Sequence, residues 1–334
     1  MPFATLSDIA SLTSALPGFD EAACDAAALR QRRLTKSAGS LGRLEELALF
    51  MAGWRANPCP QIGQAQALIF AGNHGVCAQG VSPYPQEVTA QMVANFRAGG
   101  AAINRLCHAA DAHMEVIPLD LDRPTADFTA GFAMTEGETL SALNRGAAAV
   151  DAGADVLILG EMGIGNSTVA AALAAALFGG PAAEWVGPGT GADAEGVRRK
   201  ADVVEKGLAR HRGLEPLHVL AAFGGREQAA ICGAILAARA ARIPVLLDGF
   251  ICTAAASVLH GLDRRLLDHC LAGHVSAEPG HRRLLAALGK QAILDLDLRL
   301  GEGSGGALAL GILRAALACH NQMATFAEAG ISED

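Results

Sequence analysis

The spacing of hydrophobic residues changes along this 334-residue chain, and the changes predict two kinds of structure. Residues 21–34 and 41–56 place their apolar positions on one helical face, which predicts two amphipathic helices. From residue 67 onwards, short apolar runs alternate with longer helical patterns. This alternation is typical of an α/β fold, in which helices cover both faces of a parallel sheet. We predict strands at 67–71, 114–119, 156–159 and 245–247, and helices at 86–106, 140–152, 167–178, 226–242 and 251–259.

The last helical stretch, residues 304–329, is not followed by a strand pattern. We therefore expect it to join the N-terminal helices in a small helical domain built from both chain termini. This domain would comprise residues 1–60 and 304–334, and residues 61–303 would form a large α/β domain. At 334 residues, the chain is long enough for such a division.

Polar side chains follow three of the predicted strands at the point where each strand ends. Asn73 and His74 follow the first strand, Glu161 follows the third and Asp248 follows the fourth. In parallel α/β sheets, ligands bind beyond the carboxyl ends of the strands. The sequence therefore predicts a functional site at this edge of the sheet.

Two isolated glutamates lie in glycine-rich turns that precede Ala- and Leu-rich helical stretches. Glu161 lies within residues 159–168, and Glu302 lies within residues 299–306. A helix N-terminus preceded by glycines suits an anion, whereas a carboxylate there is better placed to accept a proton or hold a cationic centre. Each glutamate taken alone also fits a structural role at a helix entry. The occurrence of two favours an enzyme that holds a phosphate beside acid–base chemistry.

A further glycine-rich turn, residues 186–191, precedes a helical stretch that carries Lys200. Backbone N–H groups and one lysine suit a single phosphate, although a plain loop and a solvated lysine fit the pattern equally well. The turn after Glu161 lacks both the Walker pattern and the G-x-G-x-x-G spacing, which argues against ATP in a P-loop and against NAD. His74 and His274 have no ligand partners at metal-binding spacing, so we expect no metal site.

Composition narrows the classes of partner. The net charge of −8 and the scattered basic residues argue against nucleic acid. The eight cysteines form no C-x-x-C pair, which is typical of reduced thiols in a cytoplasmic protein rather than of zinc or disulfides. The most apolar stretches, 169–178 and 307–318, are too short or are interrupted by Arg314, so we expect no membrane span.

Five segments in a fixed order carry a resemblance that covers residues 34–322. They are residues 39–45, 72–76, 160–166, 244–250 and 299–305. Together they closely resemble the nicotinate-nucleotide–dimethylbenzimidazole phosphoribosyltransferase family. The resemblance implies a three-layer Rossmann-like domain, residues 61–303, with a small helical domain from both termini. It also implies a homodimer, no metal or organic cofactor, and the conversion of nicotinate mononucleotide and 5,6-dimethylbenzimidazole into α-ribazole 5′-phosphate and nicotinate.

The same resemblance implies roles for individual residues. Glu302 matches the family's general base, and Glu161 matches its second active-site glutamate. Tyr84 and Met92 take the places of a serine and a glutamine in the base pocket, which also includes Leu300; this leaves the preferred base open. The residues expected to bind the phosphate or the rest of the nucleotide are Gly163, Gly165, Asn166, Gly189, Lys200, Ser276 and Asp248.

Other functions remain open at this stage. A phosphoribosyltransferase that uses another aromatic acceptor, such as adenine or a phenol, fits the altered pocket. A non-catalytic nucleotide-binding regulator of the same fold is disfavoured by the presence of both glutamates. A dehydrogenase is disfavoured by the spacing of the glycines.

Overall fold

A computed structural model describes residues 3–332 of the chain as an α/β fold around one six-stranded sheet. The strand order is β2-β1-β3-β4-β5-β6, and every neighbouring pair is parallel. The carboxyl ends of all six strands therefore lie at the same edge. The strands are β1 (Ala65–Ala71), β2 (His113–Pro118), β3 (Val156–Met162), β4 (Val245–Leu247), β5 (Cys270–His274) and β6 (Ala292–Leu294).

Fourteen α-helices connect and cover these strands within residues 3–332. They are α1 (Leu6–Ser11), α2 (Glu21–Arg33), α3 (Arg43–Arg55), α4 (Glu87–Arg97), α5 (Ala102–Ala109), α6 (Glu136–Ala149), α7 (Asn166–Phe178), α8 (Ala194–Arg210), α9 (Pro216–Phe223), α10 (Arg226–Ala240), α11 (Phe250–Leu262), α12 (Pro279–Ala287), α13 (Ser304–Gln322) and α14 (Phe326–Ala329).

The central strands are buried on both faces, which explains their near-continuous apolar runs. All seven residues of β1 are buried. Successive side chains point to opposite faces, so that Leu68 and Phe70 belong to one apolar core whereas Ala67 and Ile69 belong to the other. Helices α6, α7, α10 and α11 contribute to the first core, and α3 and α13 contribute to the second. The predicted parallel sheet with helices on both faces is confirmed.

Three sequence predictions differ from the structure. The predicted helix 86–106 is two helices, because Gly99 adopts a left-handed φ of +77° just after α4 and ends it. Strand β3 continues past residue 159 to Met162, since Glu161 pairs with Phe70 of β1. Strands β5 and β6 were not predicted; in the structure they pair with each other, and β5 also pairs with β4.

Helix α2, near the N-terminus, contacts the end of α13, near the C-terminus. Arg30 of α2 donates hydrogen bonds to the carbonyl oxygens of His320, Asn321 and Met323 at the end of α13. Helices α3 and α13, however, share the second core with the sheet. A helical domain separate from the α/β domain therefore remains a prediction, and residues 1–2 and 333–334 of its expected span lie outside the described residues. Among residues 3–332, no helix combines the length and apolar content needed to cross a bilayer.

Candidate active site

A cleft opens at the carboxyl edge of the sheet, where polar residues were predicted to gather. It encloses about 810 Å³, a volume that includes its open mouth. Its walls come from the ends of β3, β4 and β5, the first turn of α7 and three connecting segments, residues 81–83, 188–190 and 299–302. It contains both predicted catalytic glutamates.

Glu161 lies near the end of β3 and is only 4% exposed. The side-chain amide of Asn166, on the first residue of α7, donates a hydrogen bond to its carboxylate. Burial, followed by the nearby charges of Asp248 and Glu227, raises the pKa of Glu161 to about 8. Glu161 therefore keeps its proton through most of the neutral range.

Glu227 is the buried partner of His74, whose Nε2 lies 3.0 Å from Glu227 Oε1, and both side chains are fully buried. A Cβ added at Gly163 would lie 3.0 Å from the same His74 nitrogen. The His74 side chain therefore packs against the turn that follows Glu161. This placement agrees with the structural or hydrogen-bonding role that the sequence favoured for His74.

Glu302 lies in the turn that enters α13, and its backbone adopts a left-handed φ of +66°. This conformation costs a residue with a side chain about 1–2 kcal/mol. The residue is 6% exposed, and its Oε2 has no hydrogen-bond partner among the described residues. Burial and the charge of Asp248 raise the pKa of Glu302 to about 7.

The turns that carry the two glutamates are in contact. A Cβ at Gly301 would lie 2.6 Å from Glu161 Oε1, and a Cβ at Gly160 would lie 2.6 Å from the backbone oxygen of Glu302. Only glycine fits at either position. Burial raises the pKa of both carboxyls into the neutral range, to about 8 for Glu161 and about 7 for Glu302, so the pair is only partly ionised at neutral pH. The pair thus provides a proton acceptor beside a neutral acid.

The expected phosphate-binding residues lie along one wall of the cleft. Gly163, Gly165 and Asn166 form the turn from β3 into α7. Lys200 of α8 is 3% exposed and donates hydrogen bonds to Ser167 Oγ and the Gly187 carbonyl, both at 3.1 Å. An ammonium group has three hydrogens, so one remains for a ligand.

Gly189 completes this wall. A Cβ added at Gly189 would lie 3.1 Å from Lys200 Nζ, so the absence of a side chain keeps the lysine accessible. Burial lowers the pKa of Lys200, while the charge of Glu278 acts in the opposite direction. Backbone amides, a helix N-terminus and one lysine together suit a phosphate group.

Glu278 is a cleft residue that sequence reasoning did not single out. Its Oε1 accepts a 2.7 Å hydrogen bond from the Gly189 N–H, and its Oε2 is buried with no partner among the described residues. The neighbouring Ser276 hydroxyl accepts a 3.3 Å hydrogen bond from the Glu278 N–H. The only local signal was a polar residue before Pro279, which begins α12, and this signal does not distinguish a ligand from a helix entry.

Asp248 lies in the cleft, but its carboxylate is engaged with protein. It accepts hydrogen bonds from the N–H groups of Gly303, Gly305 and Gly306, at 3.1, 2.7 and 3.0 Å. Its Oδ1 also lies 3.6 Å from His274 Nε2. These contacts join the Asp248 carboxylate to the start of α13, and the nucleotide-binding role expected for Asp248 stays a prediction.

The three expected base-pocket residues are separated. Leu300 lines the mouth of the cleft and is 49% exposed. Tyr84 is 48% exposed and lines an adjacent open groove, and Met92 of α4 packs beside the second core. The chain turns away from the cleft after Pro83, so the wall of this segment consists of residues 81–83 instead.

Comparison with known proteins matches this geometry to one family. The family model described as "Phosphoribosyltransferase" matches residues 16–331. A nicotinate-nucleotide–dimethylbenzimidazole phosphoribosyltransferase from Rhodobacter capsulatus is 65% identical over 328 residues, or 98% of each chain. The enzyme of that name from Ruegeria pomeroyi is 58% identical over 98% of each chain. The crystal structure of the enzyme of that name from Thermus thermophilus superposes with a TM-score of 0.88 at 44% identity, covering 94% of this chain and all of the other.

Proposed function

Because this chain belongs to the phosphoribosyltransferase family, whose model matches residues 16–331, we propose that it transfers phosphoribose from nicotinate mononucleotide to 5,6-dimethylbenzimidazole. The products are α-ribazole 5′-phosphate and nicotinate, and the reaction supplies the nucleotide loop of cobalamin. Relatives that carry this enzyme's name are 56–65% identical over 98% or more of the chain. The observation that carries the proposal is that Glu302 and the Lys200 wall face one cleft.

The chemistry of the two heterocycles assigns the role of Glu302. Nicotinate leaves with its ring nitrogen neutralised and needs no acid. The attacking benzimidazole gains positive charge, because one nitrogen bonds to C1′ while the other still carries a hydrogen. Glu302, with an unpartnered oxygen and a pKa of about 7, takes that proton. Glu161, whose pKa is about 8, is largely protonated at neutral pH, so that Glu302 is the more ionised carboxyl of the pair.

The wall opposite Glu302 binds the nucleotide. The phosphate lies at the N-terminus of α7, where Gly163, Gly165 and Asn166 approach it and Lys200 uses its free hydrogen. The sugar lies between the phosphate and the glutamates. Its hydroxyls donate to the free oxygen of Glu278 beside Ser276. Attack opposite the leaving nicotinate converts the β linkage to the α linkage of the product.

We further propose a cytoplasmic homodimer with a terminal helical domain, no metal or organic cofactor and no nucleic-acid partner. The net charge of −8 supports the last point. Three exposed leucines in the C-terminal part of the chain support a subunit contact: Leu296, Leu300 and Leu308 are 55%, 49% and 36% exposed. Sedimentation of the purified chain at several concentrations tests the dimer, and a single monomeric species throughout argues against it.

The direct test mixes purified protein with nicotinate mononucleotide and 5,6-dimethylbenzimidazole and identifies the products by mass. We expect nicotinate and α-ribazole 5′-phosphate in equal amounts. Competition between dimethylbenzimidazole, adenine and a phenol then ranks the acceptors. Absence of transfer to any of the three would favour a nucleotide-binding protein without catalysis.

A further inference from the structure

We infer that Asp248 is a positioning residue, whose carboxylate fixes the turn that carries Glu302 and holds it in its left-handed conformation. This inference rests on the proposed function, because it concerns the base of that reaction. It replaces the nucleotide contact expected for Asp248 from the sequence.

The first support is the way in which α13 is capped. The first N–H groups of a helix have no partners within the helix and are usually capped by a side chain at the N-cap position. The N-cap of α13 is Gly303, which has no side chain. Asp248 supplies the cap from the end of β4, 55 residues earlier in the chain, through three hydrogen bonds of 2.7–3.1 Å.

The second support is the strain in the turn. Gly301, Glu302 and Gly303 have φ values of +84°, +66° and +92°, so a residue with a side chain lies between two left-handed glycines. Such a conformation persists only where surrounding contacts determine it. Three hydrogen bonds from N–H groups to the buried Asp248 carboxylate, which are stronger than hydrogen bonds between neutral groups, hold the backbone of this turn. Asp248 binds the residue directly after Glu302 and thereby fixes its direction.

The third support is the arrangement of charge. Glu161 of β3 and Glu302 both face Asp248, and its charge is the leading electrostatic cause of the raised pKa in each, after burial. Burial also raises the pKa of Asp248 itself, and the charge of His274 on β5, 3.6 Å away, lowers it. The other titratable groups nearby are Glu227 of α10, which acts on Glu161, and the buried thiol of Cys252 on α11, whose pKa is raised after burial by Glu161 and Asp248.

A phosphate ligand would not suit Asp248. Its oxygens already accept three hydrogen bonds, and a carboxylate repels an anion. A positioning role and a nucleotide-binding role therefore predict different kinetics. Loss of a positioning residue lowers kcat, whereas loss of a nucleotide ligand raises KM for the nucleotide.

The test compares Asp248→Asn with Asp155→Asn, which removes a carboxyl that accepts hydrogen bonds from the Gly63 and Gln64 N–H groups outside the cleft. Wild-type enzyme is assayed first, so that absence of transfer there counts against the proposed function and not against Asp248. We expect Asp248→Asn to lower kcat at least about tenfold, with KM for nicotinate mononucleotide within about threefold of wild type. The acid limb of the pH profile of kcat, where Glu302 becomes protonated, should move down by about one pH unit, because the negative charge of Asp248 no longer faces Glu302.

Asp155→Asn should leave the acid limb at its wild-type position. An unmoved limb in Asp248→Asn, or a rise in KM without a loss of kcat, would overturn the inference. Wild-type protein provides a second measurement if the variant does not fold. The amides of Gly305 and Gly306 lie in the first turn of α13, so slow hydrogen exchange there reports the carboxylate cap. Rapid exchange at both would also overturn it.

Discussion

Replacing Glu302 with glutamine tests two claims in one variant: that Glu302 is the general base, and that burial raises the pKa of its carboxyl. Glutamine keeps the shape of the side chain but accepts no proton at neutral pH. We expect kcat to fall about 10²–10⁴-fold, which corresponds to about 3–5 kcal/mol of transition-state stabilisation. Nucleotide binding should change little, because Lys200 and the α7 turn line the other wall.

The same variant should be more stable than wild type at high pH. Burial raises the pKa of Glu302 from 4.5 to about 7, so between those values the folded protein binds more protons than the unfolded chain. The stability of the wild type therefore falls as pH rises through this window. At 1.36 kcal/mol for each pH unit, the difference amounts to about 3 kcal/mol. Water in the open cleft screens the carboxylate, so we expect about 1–3 kcal/mol.

The assay is urea unfolding of both proteins near pH 4 and near pH 8, with product formation followed by chromatography. Comparing the two pH values removes any constant cost of burying the glutamine amide. The variant should gain stability relative to wild type only at the higher pH. Near-normal turnover would exclude Glu302 as the base, and a pH-independent stability difference would show that its carboxyl is not buried as the structure has it.

Two further substitutions have matched controls close by in the chain. Lys200→Ala should raise KM for nicotinate mononucleotide about 10–100-fold with a smaller change in kcat, as expected for the loss of one charged hydrogen bond to phosphate. Its control, Lys206→Ala, replaces an exposed lysine of the same helix and should behave as wild type. An effect on KM for the base alone would contradict the phosphate assignment. Gly301→Ala should cost about 1–3 kcal/mol of unfolding free energy and reduce turnover, because φ is +84° and the new Cβ would lie 2.6 Å from Glu161 Oε1. Gly311→Ala, on the exposed side of α13 with nothing within 4 Å of the new Cβ, should gain up to about 1 kcal/mol. Equal melting temperatures for the Gly301 and Gly311 variants would contradict this account.

The local sequence pattern predicted strands and turns correctly where their own residues determine the structure. Apolar runs identified β1, β3 and β4, because a strand that is buried on both faces is recognisable from its own residues, and they also identified the partly exposed edge strand β2. Glycines flanking Glu161 and Glu302 marked both turns, because close backbone approach and positive φ are properties of the residue itself. By contrast, β6 has three residues and depends on its pairing with β5, which no local pattern encodes.

The features of the candidate site divide in the same way into those that local sequence predicts and those that depend on tertiary structure. The sequence alone determined the α/β class, the edge of the sheet that carries the cleft, and the two glutamates with Lys200 as candidates. Only the tertiary structure decided what each carboxylate does. Asp248 and Glu302 are 54 positions apart in the chain, yet the Asp248 carboxylate caps the helix that begins two residues after Glu302. Electrostatic and hydrogen-bonding effects depend on distance in space and on burial, and separation along the chain specifies neither.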